Sequence, residues 1–555
     1  MTGPHAHYDA LVIGAGFGGM YALHKLRDEV KLSVHLVERG SGLGGTWFWN
    51  RYPGAMSDTE SPFYRYSFDN KLLEKDAWRR KYIDQPDILA YLERVADDLD
   101  LRRDMEFGVE VKGMSWDEER ELWTVRASTE GGERIYTARF VVTALGLLAA
   151  INVPDIPGIE TFKGKLVHTA EWPADFDVKG RNVGVIGTGS TGTQFIVAAA
   201  RTAQHLTVFQ RSPQYSVPSG NGDVGPGEVE GWKRKWTDVF KQVRSSTVGF
   251  GFTESTVSAL SVSEQERERI YEDAWNRGNG FYFMFGTFND IATNPEANET
   301  AAAFIRKKIA QIVKDPTTAQ RLTPHELYAK RPLCNHNYFE VYNQPNVKLV
   351  SLKETPIERI VPEGVLTADG TLHKLDTLVL ATGFDAVDGN YRRMDLRGRG
   401  GTTIDEHWQP QPTSYLGIAT RGFPNMFMVM GPNGPFTNLV PAIEVQVEFI
   451  TKLVAHAVET NGPPLDVTAE AEDSWTETCK SIADMTLFPK IDSWIFGANI
   501  PGKQHSVLFY LGGLSNYLGI LSTVEEQGFK AFAGDAVAEK TAPGTVTHTA
   551  EVEIQ

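Results

Sequence analysis

Short apolar runs alternate with glycine-punctuated turns and amphipathic stretches along most of this chain, the pattern of strands that feed helices. Tyr8-Asp9-Ala10-Leu11-Val12-Ile13 reads as a strand running into Gly14, Gly16 and Gly19, after which Met20 to Leu26 reads as a helix. The order recurs farther on. Val183-Gly184-Val185-Ile186 precedes Gly187, Gly189 and Gly192, and Phe195 to Ala200 continues as a helix. A strand, a G-x-G-x-x-G turn and a helix form a dinucleotide-binding unit, with phosphates at the helix N-terminus. Two copies predict an α/β protein with two Rossmann-like parallel sheets, one for each of two dinucleotides.

Between 221 and 330 the period becomes helical. Trp232, Trp236, Val239, Phe240 and Val243 predict one buried face, and Ile305, Ile309, Ile312 and Val313 another. Strand patterning returns at Asn346 to Val350 and at Leu375 to Ala381, and Ile443, Val447, Ile450 and Val454 predict a late helix. The reading is a first nucleotide domain over 1–145 and 385–535, a second over 146–220 and 331–384, a helical insertion over 221–330 and a loose polar tail over 536–555.

A glycine turn alone is weak, because any tight strand-to-helix connection favours glycine. The residue closing the second strand of each unit discriminates, since it meets the adenosine ribose. Glu38 closes Val34-His35-Leu36-Val37, as far beyond Gly19 as Arg211 lies beyond Gly192. A carboxylate accepts hydrogen bonds from both ribose hydroxyls, which suits FAD or NAD. A guanidinium attracts a 2′-phosphate, which suits NADPH. A flavin paired with NADPH implies hydride transfer to the flavin. Cys334 and Cys479 are the two cysteines of the chain and form no CxxC pair, so a dithiol is not the electron acceptor. Dioxygen is the remaining one.

Composition narrows the partners. With 41% hydrophobic and 23% charged residues the chain is of ordinary globular make-up. A net charge of −16 argues against nucleic acid and anionic membrane, leaving small molecules. Phe140 to Ile151, the longest apolar run, is too short to span a bilayer, and no basic leader precedes the first strand, so a cytoplasmic location is expected. No metal site is expected. The oligomeric state stays open, a monomer included.

Two segments go beyond the generic pattern: Gly44-Gly45-Thr46-Trp47-Phe48-Trp49-Asn50-Arg51-Tyr52-Pro53-Gly54-Ala55-Met56-Ser57-Asp58, and Phe162-x-Gly164-x-x-x-His168-x-x-x-Trp172-Pro173 just before the second nucleotide-binding strand. In both, the chain resembles the type I Baeyer–Villiger monooxygenases. Leu327 to Cys334 and Ser493 to Lys503 are similar to further segments of that family, and the likeness runs from about Tyr8 to Tyr517. Ala381 to Asn390 and Gly431 to Leu439 resemble the cyclohexanone-oxidising branch.

The resemblance implies that NADPH reduces FAD, that dioxygen gives a C4a-peroxyflavin, and that this attacks a ketone to yield an ester or lactone. It makes Arg331 the catalytic cation, because a guanidinium stays protonated and can stabilise a peroxide anion without delivering a proton, and makes Asp58 the residue that holds it. Thr46, Trp47, Asp58, Tyr64 and Val111 would lie against FAD. Thr188, Ser190, Thr191 and Gln194 would line the second glycine turn, and Lys330 and Trp494 would contact a retained NADP⁺. His168 is expected to be structural, not a general base. Leu145, Phe436, Thr437, Leu439, Trp494 and Phe509 would line an apolar substrate pocket, with sulfides as further substrates. Two alternatives remain: a flavin oxygenase that oxidises amine nitrogen or sulfur with a protonated hydroperoxide, and a non-catalytic protein that senses NADPH.

Overall fold

Val12 and Ile13 pair in parallel with Leu36 and Val37 on one side and with Val142 and Thr143 on the other, which makes His5–Ile13 an inner strand. A parallel strand covered on both faces needs a nearly unbroken apolar run, and Leu11 and Val12 are fully buried. The structure, a computed structural model, describes residues 5–76 and 78–534. The tail expected over 536–555 lies outside them.

The first sheet has eight strands, in the order Asp395–Arg397, Glu110–Asp117, Leu122–Thr129, Gly132–Thr143, His5–Ile13, Val34–Glu38 and Met105–Phe107, with Met426–Met428 also pairing with Gly132–Thr143. Two of these strands come from the far end of the chain. The second sheet is wholly parallel: Val347–Ser351, His205–Gln210, Asn182–Ile186, Thr377–Leu380 and Lys165–His168. Helices Pro226–Lys233, Trp236–Ser245, Glu264–Arg277, Pro295–Ile312 and Pro316–Leu322 interrupt it between its third and fourth strands in chain order.

The apolar face expected over 232–243 is split between two helices. Pro226–Lys233 ends just before Arg234, so Trp232 lies on one helix while Trp236, Val239, Phe240 and Val243 are buried from the next. The late helix is Leu439–Thr460, with Val447, Ile450 and Val454 in the core. Among the described residues no helix is long and apolar enough to cross a membrane.

Candidate active site between two dinucleotide folds

Gly14 has φ +103°, and a Cβ on it would stand 2.5 Å from the Ala144 carbonyl oxygen, so glycine is required there. Gly16 caps the helix Phe17–Asp28 without any side-chain hydrogen bond, and its first turn holds no acidic residue. That N-terminus offers unpartnered N–H groups to an anion. It opens into a cavity lined by Gly14, Gly16, Glu38, Thr46, Trp47, Tyr64 and Val111. Glu38 is 7% exposed, and its carboxylate accepts from the Ala15 N–H at 2.8 Å and the Gly40 N–H at 2.7 Å. Those bonds fix its direction and leave lone pairs for two ribose hydroxyls. The donor set fits a dinucleotide with an unmodified ribose, as FAD has.

The second turn repeats the design. A Cβ on Gly187 would meet the Ala381 carbonyl oxygen at 2.3 Å, whereas one on Gly189 would meet nothing within 4 Å, leaving room beside the turn. Gly189 caps Ser190–Ala199, again with no side-chain cap and no acid in the first turn. Thr188 is buried, its hydroxyl donating to the Ser212 carbonyl at 3.1 Å, while Ser190 and Thr191 are half-buried. Arg211 follows the strand His205–Gln210, is exposed and has no ion pair among the described residues, as a 2′-phosphate receptor should.

Two of the expected nucleotide contacts also have protein partners. Gln194 is turned to the first fold: its side-chain oxygen accepts from the Tyr52 hydroxyl at 2.7 Å and its amide donates to the Met56 carbonyl at 3.1 Å. It joins the aromatic loop to the second glycine helix. Lys330 donates to Glu326, four residues earlier in the chain, at 2.5 Å.

Between the folds, Arg331 meets Asp58. Nη1 lies 2.6 Å from Oδ2 and Nη2 2.8 Å from Oδ1, a two-pronged ion pair with side chains 23% and 14% exposed. Burial alone would lower the Arg331 pKa, but the Asp58 carboxylate outweighs it and holds the guanidinium above its ordinary value. Asp58 is not among the residues that line the first cavity, whereas Tyr64 is. The Tyr64 hydroxyl accepts from Trp47 Nε1 at 3.1 Å, and its pKa is raised by burial first and by Asp58 as well. Asp58 also adds to the effect of burial on Tyr52 and on Cys334, whose thiol is pushed up to about 12. The field of one carboxylate thus reaches both folds.

His168 is 7% exposed, its Nδ1 accepts from the Ala170 N–H at 3.1 Å, and burial lowers its pKa to about 4. It is neutral and bonded to backbone, unsuited to moving protons near neutrality.

Phe436, Trp494 and Phe509 converge, with ring centroids 5.2 to 6.4 Å apart. Thr437 follows Phe436 in sequence, and its hydroxyl donates to the Asn438 carbonyl at 3.3 Å. Leu145 and Leu439, the other two residues expected to line the substrate pocket, line the first cavity. Sequence reasoning missed Phe281 and Phe250. The Phe281 ring lies 5.0 Å from Arg331 Cζ and stacks on Phe250 at 4.0 Å. Gly249 joins this pair to the first group, its carbonyl accepting from the Asn438 side chain at 2.9 Å. The ring that faces the guanidinium thus belongs to this second aromatic cluster, and only the density of Phe and Tyr over 281–285 hinted at it.

Residues 8–221, a stretch that contains both glycine turns, match the pyridine nucleotide-disulphide oxidoreductase family. The chain is 54% identical to a Baeyer–Villiger monooxygenase of Pseudooceanicola batsensis over 96% of its own length and 98% of that protein. It is 53% identical to a phenazine N-monooxygenase of Lysobacter antibioticus, over 95% of this chain and 97% of that one. The crystal structure of cyclohexanone monooxygenase from Rhodococcus sp. Phi1 bound to NADP⁺ superposes with a TM-score of 0.93 at 56% identity, covering 95% of this chain and 99% of that one. With its two dinucleotide folds and this likeness along nearly its whole length, the chain belongs to the Baeyer–Villiger monooxygenase family.

Proposed function

We propose that the protein oxidises an apolar cyclic ketone, of which cyclohexanone is the model, by the balanced reaction ketone + NADPH + H⁺ + O₂ → lactone + NADP⁺ + H₂O. The observation that carries this reading is the Arg331–Asp58 pair, a fixed cation faced by the Phe281 ring and lying between two dinucleotide folds. Bound FAD, reduced by NADPH, supplies the activation of dioxygen. Gly14, Gly16, Gly19, Glu38, Thr46, Trp47, Tyr64 and Val111 would hold the flavin. Gly187, Thr188, Gly189, Ser190, Thr191, Gly192 and Arg211 would hold NADPH, with Trp494 beside the retained NADP⁺. Arg331 stabilises negative charge developing on oxygen and gives up no proton, because Asp58 keeps it ionised. Phe436, Trp494 and Phe509 exclude water and offer hydrocarbon contact, so discrimination among ring sizes is weak and sulfides enter as well. The two buried free cysteines accord with a cytoplasmic location.

A second reading, oxygen transfer to a ring nitrogen, is favoured by the similarity to the phenazine N-monooxygenase. One experiment separates the two. Purified yellow protein with NADPH and air is given cyclohexanone or phenazine, and products are identified by mass spectrometry. Lactone supports the first reading; N-oxide without lactone rejects it. NADPH consumption unaffected by either compound returns the chain to a sensing role.

A further inference from the structure

Asn279 is 1% exposed and adopts φ +86°, a left-handed conformation uncommon outside glycine. It follows Gly278 at the end of the helix Glu264–Arg277 and precedes the π-helical turn Tyr282–Gly286. Its side-chain oxygen accepts from the Phe281 N–H at 3.0 Å and the Tyr282 N–H at 3.1 Å. Its side-chain amide donates to Glu60 Oε1 at 3.0 Å. The backbone is held too, its N–H donating to the Pro218 carbonyl at 3.0 Å.

These bonds reach two neighbours of the ion pair. Glu60 is two residues beyond Asp58. Phe281 is the ring that faces the Arg331 guanidinium. Gly280, between Asn279 and Phe281 in the chain, packs so closely on the strand after Arg331 that a Cβ there would stand 2.7 Å from the Leu333 carbonyl oxygen. One side chain therefore ties the loop carrying the carboxylate to the turn carrying the ring.

We propose that Asn279 is a positioning residue for the Arg331–Asp58 pair: it fixes the Phe281 ring on one face of the guanidinium and, through Glu60, fixes the loop that presents Asp58. The proposal rests on the oxygen-insertion reading of this site. Asn279 touches none of the reacting groups and acts through its neighbours.

Three variants test it. Asn279→Gly keeps the left-handed backbone and deletes all three side-chain bonds. Asn279→Asp keeps the acceptor for the two N–H groups and sets a carboxylate against Glu60. The double variant Asn279→Asp with Glu60→Gln restores that bond with its direction reversed. A misplacement of about 1 Å at a reacting centre costs on the order of 10²-fold. Product formed per NADPH consumed should fall by up to that factor in Asn279→Gly, with the missing electrons recovered as hydrogen peroxide and the rate of flavin reduction unchanged. Asn279→Asp should lose product likewise, and the double variant should regain it. A crystal structure of Asn279→Gly, independent of turnover, should show the Phe281 ring moved off Arg331. Wild-type coupling in Asn279→Gly, an unmoved ring, or no recovery in the double variant overturns the proposal. Absence of oxygenated product from the unaltered protein would instead sink the functional reading, and the crystallographic comparison would still decide the placement of Phe281. If Asn279→Gly does not fold, the Asp variant and its rescue decide the matter.

Discussion

Asp58 engages both terminal nitrogens of Arg331, at 2.6 and 2.8 Å, although 273 residues separate them in the chain. A guanidinium gripped by two parallel contacts is fixed in plane as well as in place, which a single-point ammonium cannot copy. Arg331→Lys should therefore fall far short of the parent enzyme even though the charge is kept. Loss of one preorganised donor costs roughly 10²- to 10³-fold in rate, and Arg331→Ala should lose at least that in product formation while still reducing the flavin. Stopped-flow reduction under anaerobic conditions, followed by product analysis in air, measures both. Normal lactone yield in the Ala variant would remove Arg331 from the chemistry.

Arg211 stands exposed at the end of its strand with no carboxylate partner among the described residues. Its replacement by Ala should weaken NADPH selectively, since NADH carries no 2′-phosphate. One charge-assisted hydrogen bond contributes about 1.5–3 kcal/mol, so KM for NADPH should rise roughly tenfold or more, with kcat nearly unchanged and KM for NADH unmoved. Equal losses for the two coenzymes would show that Arg211 supports the fold alone.

Glu38 organises its own surroundings before any ligand arrives, taking the Ala15 and Gly40 N–H groups on separate oxygens. Glu38→Ala leaves two nearly buried donors without that acceptor and removes the group placed for the ribose. The expected outcome is protein that is colourless on purification, or that loses flavin on gel filtration, with a lowered Tm. Full flavin content would contradict the role given to this carboxylate.

The features legible in the sequence were those encoded locally. Each glycine turn, and the charge closing the strand after it, lies within one strand–helix–strand unit, so spacing alone locates Glu38 and Arg211 at the ends of their strands. The long apolar helix Leu439–Thr460 declared itself by period for the same reason. Features made by contacts across the chain were not legible. Gln194 looks like any residue of a glycine-led helix until Tyr52 and Met56 are seen to claim its side chain. Phe281 and Asn279 belong to a helical segment whose pattern reports only burial, and their place beside Arg331 depends on how that segment returns to the second sheet. The Arg331–Asp58 pair was anticipated from family likeness. No spacing rule could have joined two residues so far apart.

Glu444 provides a test of stability independent of turnover. It is 1% exposed on the helix Leu439–Thr460, and its carboxylate accepts from the Ser67 N–H and hydroxyl, both at 2.5 Å. Arg244 lies 3.5 Å away but gives its two-pronged pair to Glu448, at 2.6 and 3.0 Å. Burial, only partly offset by Ser67 and Arg244, raises the Glu444 pKa to about 7. The folded protein then holds a proton that the unfolded chain releases above its ordinary carboxylate pKa of about 4.3. Its contribution is thus full below that pH, is lost progressively as the pH rises to about 7, and is flat above. Glu444→Gln should abolish this slope, leaving the variant close to the parent at pH near 4.5 and about 3–4 kcal/mol more stable at pH 8. Thermal midpoints of the two proteins across that range should diverge as the pH rises. Parallel curves would show that Glu444 is already ionised throughout and is held by Ser67 and Arg244.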